Sequence, residues 1–191
     1  MDGGDGDDVM YGYGGNEFLQ GGYGNDWLFG GSGDDGLYDY AGYNGLYGED
    51  GNDWLHGNDG NDYVSGGDGN DHPQGGTGND HVYGGPGDDE LDGDQGNDWI
   101  YGGDGNDSIT GDEGDDVIYP DVHADEVWAG PGDDIVYANN GSALGPIDCG
   151  PGDDTLVITP VSEKGGYSAR DRIRAGGVAD CEHIILAHRA V

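Results

Sequence analysis

From Met10 onward, one residue in nine is apolar in strict register. The positions are Met10, Leu19, Leu28, Leu37, Leu46, Leu55, Val64, Pro73, Val82, Leu91, Ile100, Ile109, Ile118, Val127 and Val136. Around them the chain divides into fifteen nonapeptides, 3–11 to 129–137, with the consensus G-G-x-G-x-D-x-U-x, where U is apolar. Residues 138–148 break the register with eleven positions, and a sixteenth unit, CGPGDDTLV, follows at 149–157 with Leu156 at U. One inward side chain per nine residues is too sparse for a helix face. It fits a three-residue strand x-U-x whose middle residue points in and whose flanks point out. Two nonapeptides then make one coil of a solenoid, and coils stack as two parallel sheets about a thin aliphatic column.

That column is too weak to hold the chain alone. Each buried U residue contributes roughly 1.5–3 kcal/mol. Ordering nine residues costs on the order of 10 kcal/mol or more. Charge makes the deficit worse. Residues 1–157 hold 37 of the 41 acidic residues and no Lys or Arg, and the whole chain carries a formal charge of −36. Such a body compacts at neutral pH only with cations. The same charge excludes nucleic acid and anionic membrane surfaces as partners. No apolar run approaches the roughly 20 residues of a membrane span.

The sixteen units resemble the repeats-in-toxin (RTX) nonapeptide, and the resemblance covers 3–157. It implies an all-β fold: a right-handed parallel β-roll of about eight two-nonapeptide coils, with calcium in its turns. The residue chemistry agrees. Glycine at the first, second and fourth positions permits positive φ and lets carbonyls converge. A hard cation takes six to eight oxygens at about 2.3–2.6 Å, and magnesium suits such turns less because it demands tighter octahedral geometry. Each ion is expected between the turns of units n and n+2. The ligand carboxylates expected at the sixth position are Asp8, Asp26, Asp35, Asp53, Asp62, Asp71, Asp80, Asp89, Asp98, Asp107, Asp116, Asp125, Asp134 and Asp154. The fifth position, Asn or Asp, is expected to point outward and is not counted as a ligand.

Three units depart from the pattern. Glu17 stands for Asp in unit two. Unit five, DYAGYNGLY, has Asn44 at the ligand position and lacks the leading glycines. Unit fourteen, PDVHADEVW, keeps Asp125 without turn glycines. Fourteen n/n+2 pairs exist. Nine remain once pairs with a damaged unit, and the pair crossing 138–148, are removed. The expected calcium count is therefore nine to fourteen, with weak sites near 39–47 and 120–125.

The outward strand positions differ between odd and even units. Ten of the sixteen flanking residues in odd units are aromatic, among them Trp27, Phe29, Tyr47, Tyr63, Tyr83, Trp99, Tyr101, Tyr119 and Tyr137. One sheet should carry a ladder of rings at the strand spacing of about 4.8 Å, while the other is mostly polar. Such a ladder stabilises short strands, packs against a second copy or domain, or stacks on the sugar rings of a polysaccharide. Ice binding fits less well, because Thr77 stands almost alone in its column.

From Ile158 the repeat fades. The segment 158–191 holds all five basic residues, Lys164, Arg170, Arg172, Arg174 and Arg189. It is expected to cap the open solenoid end, with arginines meeting the acidic body. A type I secretion signal is the alternative for this end. Cys149 and Cys181 permit one disulfide, which suits an oxidising compartment, against the alternative of two buried thiols. The CGPGDD…DCE pattern resembles the ends of some secreted RTX-like proteins. The expected location is secreted, extracellular. Met1 runs directly into repeat sequence, so the chain reads as a mature form or a module of a larger secreted enzyme or adhesin. His56, His72, His81, His123, His183 and His188 show neither zincin nor triad spacing, and the carboxylate spacing is explained by calcium. No enzyme activity is expected.

Overall fold

The computed structural model describes residues 1–121, 123–139, 145–159 and 178–186. The fold is an all-β solenoid with two parallel ten-stranded sheets, each joining alternate strands of the chain. The nonapeptides build about eight coils. Neighbouring strands lie eighteen residues apart, as in Trp99↔Val117, Ile100↔Ile118 and Tyr101↔Tyr119. That offset is two nonapeptides, so the sequence period sets the sheet register directly.

Ten of the twenty strands run six residues rather than the expected three. Trp99–Asp104, for example, extends through the first three positions of the next unit, where Gly85 pairs with Gly103 and Pro86 with Asp104. Gly102 is buried in that extension, and a residue without a side chain lets the backbone continue inward past the core. The strand Gly36–Tyr38 stops at three, where Asp39 replaces that glycine.

Glycine works differently at its three positions. The second and fourth positions adopt positive φ, as in Gly103 (115°) and Gly105 (149°). Tyr13, Glu49, Asn58, Asp94, Asp112 and Asp121 occupy the second position at φ between 64° and 77°, the left-handed region that costs non-glycine residues most. The first glycine, expected to share this need, does not adopt positive φ. It is required for space, as the turn geometry below shows.

The U residues form the core. From Leu19 to Leu156 the aliphatic members are at most 1% exposed, and Met10 at the open end is 8%. Two aliphatic clusters, Met10 to Val64 and Val82 to Ile158, meet at the buried Pro73. The break at 138–148 still supplies a core residue: Ile147 is 2% exposed and pairs with Val127. Strands Val178–Ala179 and His183–Leu186 extend the two sheets beyond Ile147–Asp148 and Thr155–Thr159. A disulfide joins Cys149 to Cys181. The five basic residues lie outside the described residues, and with them the expected arginine contacts. No described helix is long and apolar enough to cross a membrane.

Candidate metal centres in the turns

The sixth-position carboxylates form two ladders, one along each edge of the roll. In the first, the backbone N–H of each residue donates to the side-chain oxygen one coil on: Asp8 to Asp26, Asp26 to Asn44, Asn44 to Asp62, and so on through Asp80, Asp98, Asp116 and Asp134 to Asp154. The second runs from Glu17 through Asp35, Asp53, Asp71, Asp89 and Asp107 to Asp125. These bonds are 2.7–3.0 Å long, which is ordinary strong geometry. Thirteen of the fourteen expected aspartates are at most 4% exposed, and Asp8 at the open end is half-buried.

Each ladder bond uses Oδ1. The second oxygen, Oδ2, is buried without a hydrogen-bond partner in Asp8, Asp26, Asp35, Asp53, Asp62, Asp71, Asp80, Asp89, Asp98, Asp107, Asp116, Asp134 and Asp154. Glu17 Oε2 is in the same state. A buried, unpaired carboxylate oxygen is costly, so this many in register require an electropositive partner.

The unpaired oxygens converge on the first-position glycines. A Cβ built on Gly30, Gly57, Gly75 or Gly93 would lie within 2.8 Å of both its own unit's Oδ2 and the first-position carbonyl of unit n+2. The cradle thus holds one carboxylate and one carbonyl oxygen, from neighbouring turns, about a space that any side chain would fill. Glu17 reaches the equivalent point, with Oε2 3.1 Å from a Cβ on Gly12. In damaged unit fourteen the carbonyl of Pro120 takes its place beside Gly102 and Asp107. Hard oxygens converging this way fit calcium chemistry.

Burial governs the acid–base behaviour of these groups. It pushes Asp98 up to about 8, Asp62, Asp71, Asp107, Asp116 and Asp134 to about 7, and Asp53, Asp80 and Asp89 to about 6. The ladder bonds oppose that rise, and neighbouring carboxylates in most cases reinforce it. Asp125 and Asp154 are also raised by burial.

The fifth position is exposed, as expected, and has its own ladder in the opposite sense. Asn52 N–H donates to Asp34 Oδ1, and Asn106 N–H to Asp88 Oδ1, at 3.1 and 2.8 Å. These bonds favour the carboxylate form and hold the pKa of Asp34 and Asp88 below the usual aspartate value.

Three features escaped the sequence reading. The ladder does not stop at the eleven-residue break: Asp134 N–H donates to Asp154 Oδ1 at 2.9 Å across twenty residues. The eleven-residue break therefore takes the place of one unit, and unit sixteen follows unit fifteen by one coil. The ladder continues to Glu182, whose Oε2 accepts from Asp154 N–H at 3.2 Å. The spacing E-H-I in 182–184 echoes D-x-U and was the available signal. Finally, toward the C-terminal end, the first-position space is filled by Ala129, Ala138, Cys149 and Ile158, which are buried and join the aliphatic cluster. Apolar contact there replaces the oxygen cradle.

On the odd-unit sheet, Tyr11, Phe29, Tyr47, Tyr63, Tyr83, Tyr101, Tyr119 and Tyr137 stack in unbroken sequence with centroids 4.7–5.4 Å apart. Tyr63 enters from the other flank of its strand and bridges the gap left by Ser65. Trp27 and Trp99 lie beside this column, each 43% exposed. The even-unit sheet has shorter stacks, Phe18–Tyr38–His56 and Trp54–His72.

The profile of the RTX calcium-binding nonapeptide repeat (4 copies) matches residues 1–18, 11–38, 46–73, 74–100, 92–121 and 124–142, more than half of the chain. The chain belongs to this RTX repeat family. No curated protein matches it. Membership accords with calcium-binding turns and with a secreted protein. Neither the turns nor the rest of the described RTX roll contains a catalytic motif. Its one cluster of three potential metal-ligating side chains off the ladders is Asp92, Asp94 and Asp112.

Proposed function

We propose that this protein is an extracellular, non-catalytic β-roll that folds as it takes up calcium in its turns. The observation that carries this is the row of buried carboxylate oxygens without partners, most of them facing a carbonyl from the next turn. When bound, calcium supplies the positive charge that such a row requires. The aspartates contribute Oδ2 to the ion and Oδ1 to the backbone ladder, so one side chain both binds and positions the neighbouring turn. Folding and binding are then one process, and the chain folds outside the cell, where calcium is abundant.

The residues assigned to calcium are the eleven sixth-position aspartates of glycine-headed units, Asp8, Asp26, Asp35, Asp53, Asp62, Asp71, Asp80, Asp89, Asp98, Asp107 and Asp116, with Glu17 added; Asp125, Asp134 and Asp154, in units headed by Pro120, Ala129 and Cys149, are left out of the count. Twelve units begin with glycine and keep a carboxylate at the sixth position, which lies within the expected nine to fourteen sites. Residues 1–157 serve as the calcium-binding roll. The segment 158–191 serves as its cap, tied on by Cys149–Cys181 and paired at 178–186. Calorimetric titration of metal-free protein tests the assignment: about twelve calcium ions per chain support it, and one or two ions oppose it.

A second reading rests on the unbroken column of eight rings. Flanked by exposed Trp27 and Trp99, it offers a flat strip on which the sugar rings of a polysaccharide or a second copy can stack. Retention of the wild type on insoluble glycans, lost in Trp27→Ala and Trp99→Ala, separates this from a purely structural role.

A further inference from the structure

Unit five departs from the repeat at two places at once, and the structure links them. Asp39 stands where the repeat has its first glycine, and Asn44 where it has the ligand aspartate. Asp39 is 0% exposed, as is Asp26 in the turn one coil earlier. Asp39 Oδ1 accepts from Gly22 N–H at 2.8 Å, and its Oδ2 is buried without a partner. The Asp39 carboxyl faces that of Asp26, whose Oδ2 is also unpaired. Both carboxylates crowd the space over Gly21, where other units place a backbone carbonyl from the next turn.

Asn44 completes the exchange. Its Oδ1 keeps the ladder by accepting from Asp26 N–H at 2.9 Å. That bond fixes the amide orientation and leaves Nδ2, a donor, buried and unpaired where aspartates present Oδ2. In glycine-headed units, a first-position Cβ would fall on the cradle itself. The Cβ of Asp39 occupies that position in unit five.

We infer that Asp39 moves a carboxylate one site along the roll. It joins Asp26 in a two-carboxylate cation site between the turns 21–26 and 39–44, and it closes the next position, between 39–44 and 57–62. The charge lost at Asn44 reappears at Asp39, so the edge keeps its carboxylate count while two equal sites become one strong and one absent. A site with more ligand charge binds calcium more tightly. This inference rests on the calcium reading above and adds to it a residue outside the repeat's ligand position.

The test is calcium calorimetry on the full chain, comparing wild type, Asp39→Asn, and the double variant Asp39→Gly/Asn44→Asp. Asn matches a neutral, hydrogen-bonded aspartic acid in shape and can still accept from Gly22 N–H. Asp39→Asn should therefore weaken one site by at least about tenfold if Asp39 is a ligand, and change nothing if it only satisfies the backbone. The double variant restores the repeat and should bind one more ion than the wild type, which keeps the inference testable should Asp39→Asn fold poorly. An Asp39→Asn isotherm identical to wild type, or a double variant with no added ion, overturns the inference while leaving the calcium reading intact. A wild type that binds no calcium removes the calcium reading itself.

Discussion

Asp134 and Asp154 are joined by a 2.9 Å bond from backbone N–H to Oδ1, the same bond that links each earlier pair on that edge, although twenty residues separate them rather than eighteen. The two extra residues are absorbed before Ile147 returns to the core, 2% exposed. The turn, not the repeat length, is therefore what the fold preserves. Asp154→Ala removes the acceptor from a buried N–H and should cost about 1–3 kcal/mol, read from urea unfolding in saturating calcium. Asp153→Ala, on the exposed ladder beside it, should cost well under half of that.

Acidity should act in opposite directions with and without metal. Asp53, Asp62, Asp71, Asp80, Asp89, Asp98, Asp107, Asp116 and Asp134 are raised from 3.8 to about 6–8 in the metal-free roll. The folded form then holds protons that the unfolded form has released. Their stabilising contribution is complete below about pH 4 and is lost as pH rises through 6–8. Metal-free protein should gain β-structure on acidification from pH 8 to pH 5, followed by far-UV circular dichroism. Over the same range protons compete with calcium, so apparent calcium affinity should fall. A metal-free protein that loses structure on acidification would contradict the burial of these carboxylates.

Space at the turns is stricter than the repeat suggests. Gly105 lies at φ 149°, and a Cβ there would overlap the carbonyl of Gly87. Gly105→Ala should abolish folding of its neighbouring coils, whereas replacing exposed Glu49, already at φ 77°, by Gly should be neutral or mildly stabilising. In the core, Ile100→Ala should cost about 2–5 kcal/mol with the calcium count unchanged.

The disulfide ties the last unit to the strands at 178–186. Cys149→Ser/Cys181→Ser should lower stability by about 3–4 kcal/mol in calcium, as expected for a closed loop of 32 residues. Local proteolysis should begin at the C-terminal end.

The fold was legible in the sequence because one side chain per nonapeptide reaches the core, so a single column of letters spells its whole length. The buried sixth-position aspartates were legible for the same reason. Legibility failed where a residue's role depends on its neighbour in space. Asp39 looked like a lost glycine, yet stacking of the coils brings it to Asp26, which is not its neighbour in sequence. Pro120 looked like a broken turn, yet only its carbonyl matters, and every residue has one. Glu182 lies beyond the break and off the nine-residue register. Strand length was underestimated because glycine, a poor strand former by composition, is needed there for space.

In the proposed function, cations between neighbouring turns supply the cohesion that the aliphatic column lacks. This is tested most directly by far-UV circular dichroism at pH 8 on protein freed of metal by chelator and then titrated with calcium. A coil-like spectrum without calcium and a cooperative shift to β-structure by millimolar calcium are expected. A full β-spectrum in chelator, unchanged by calcium, would contradict it.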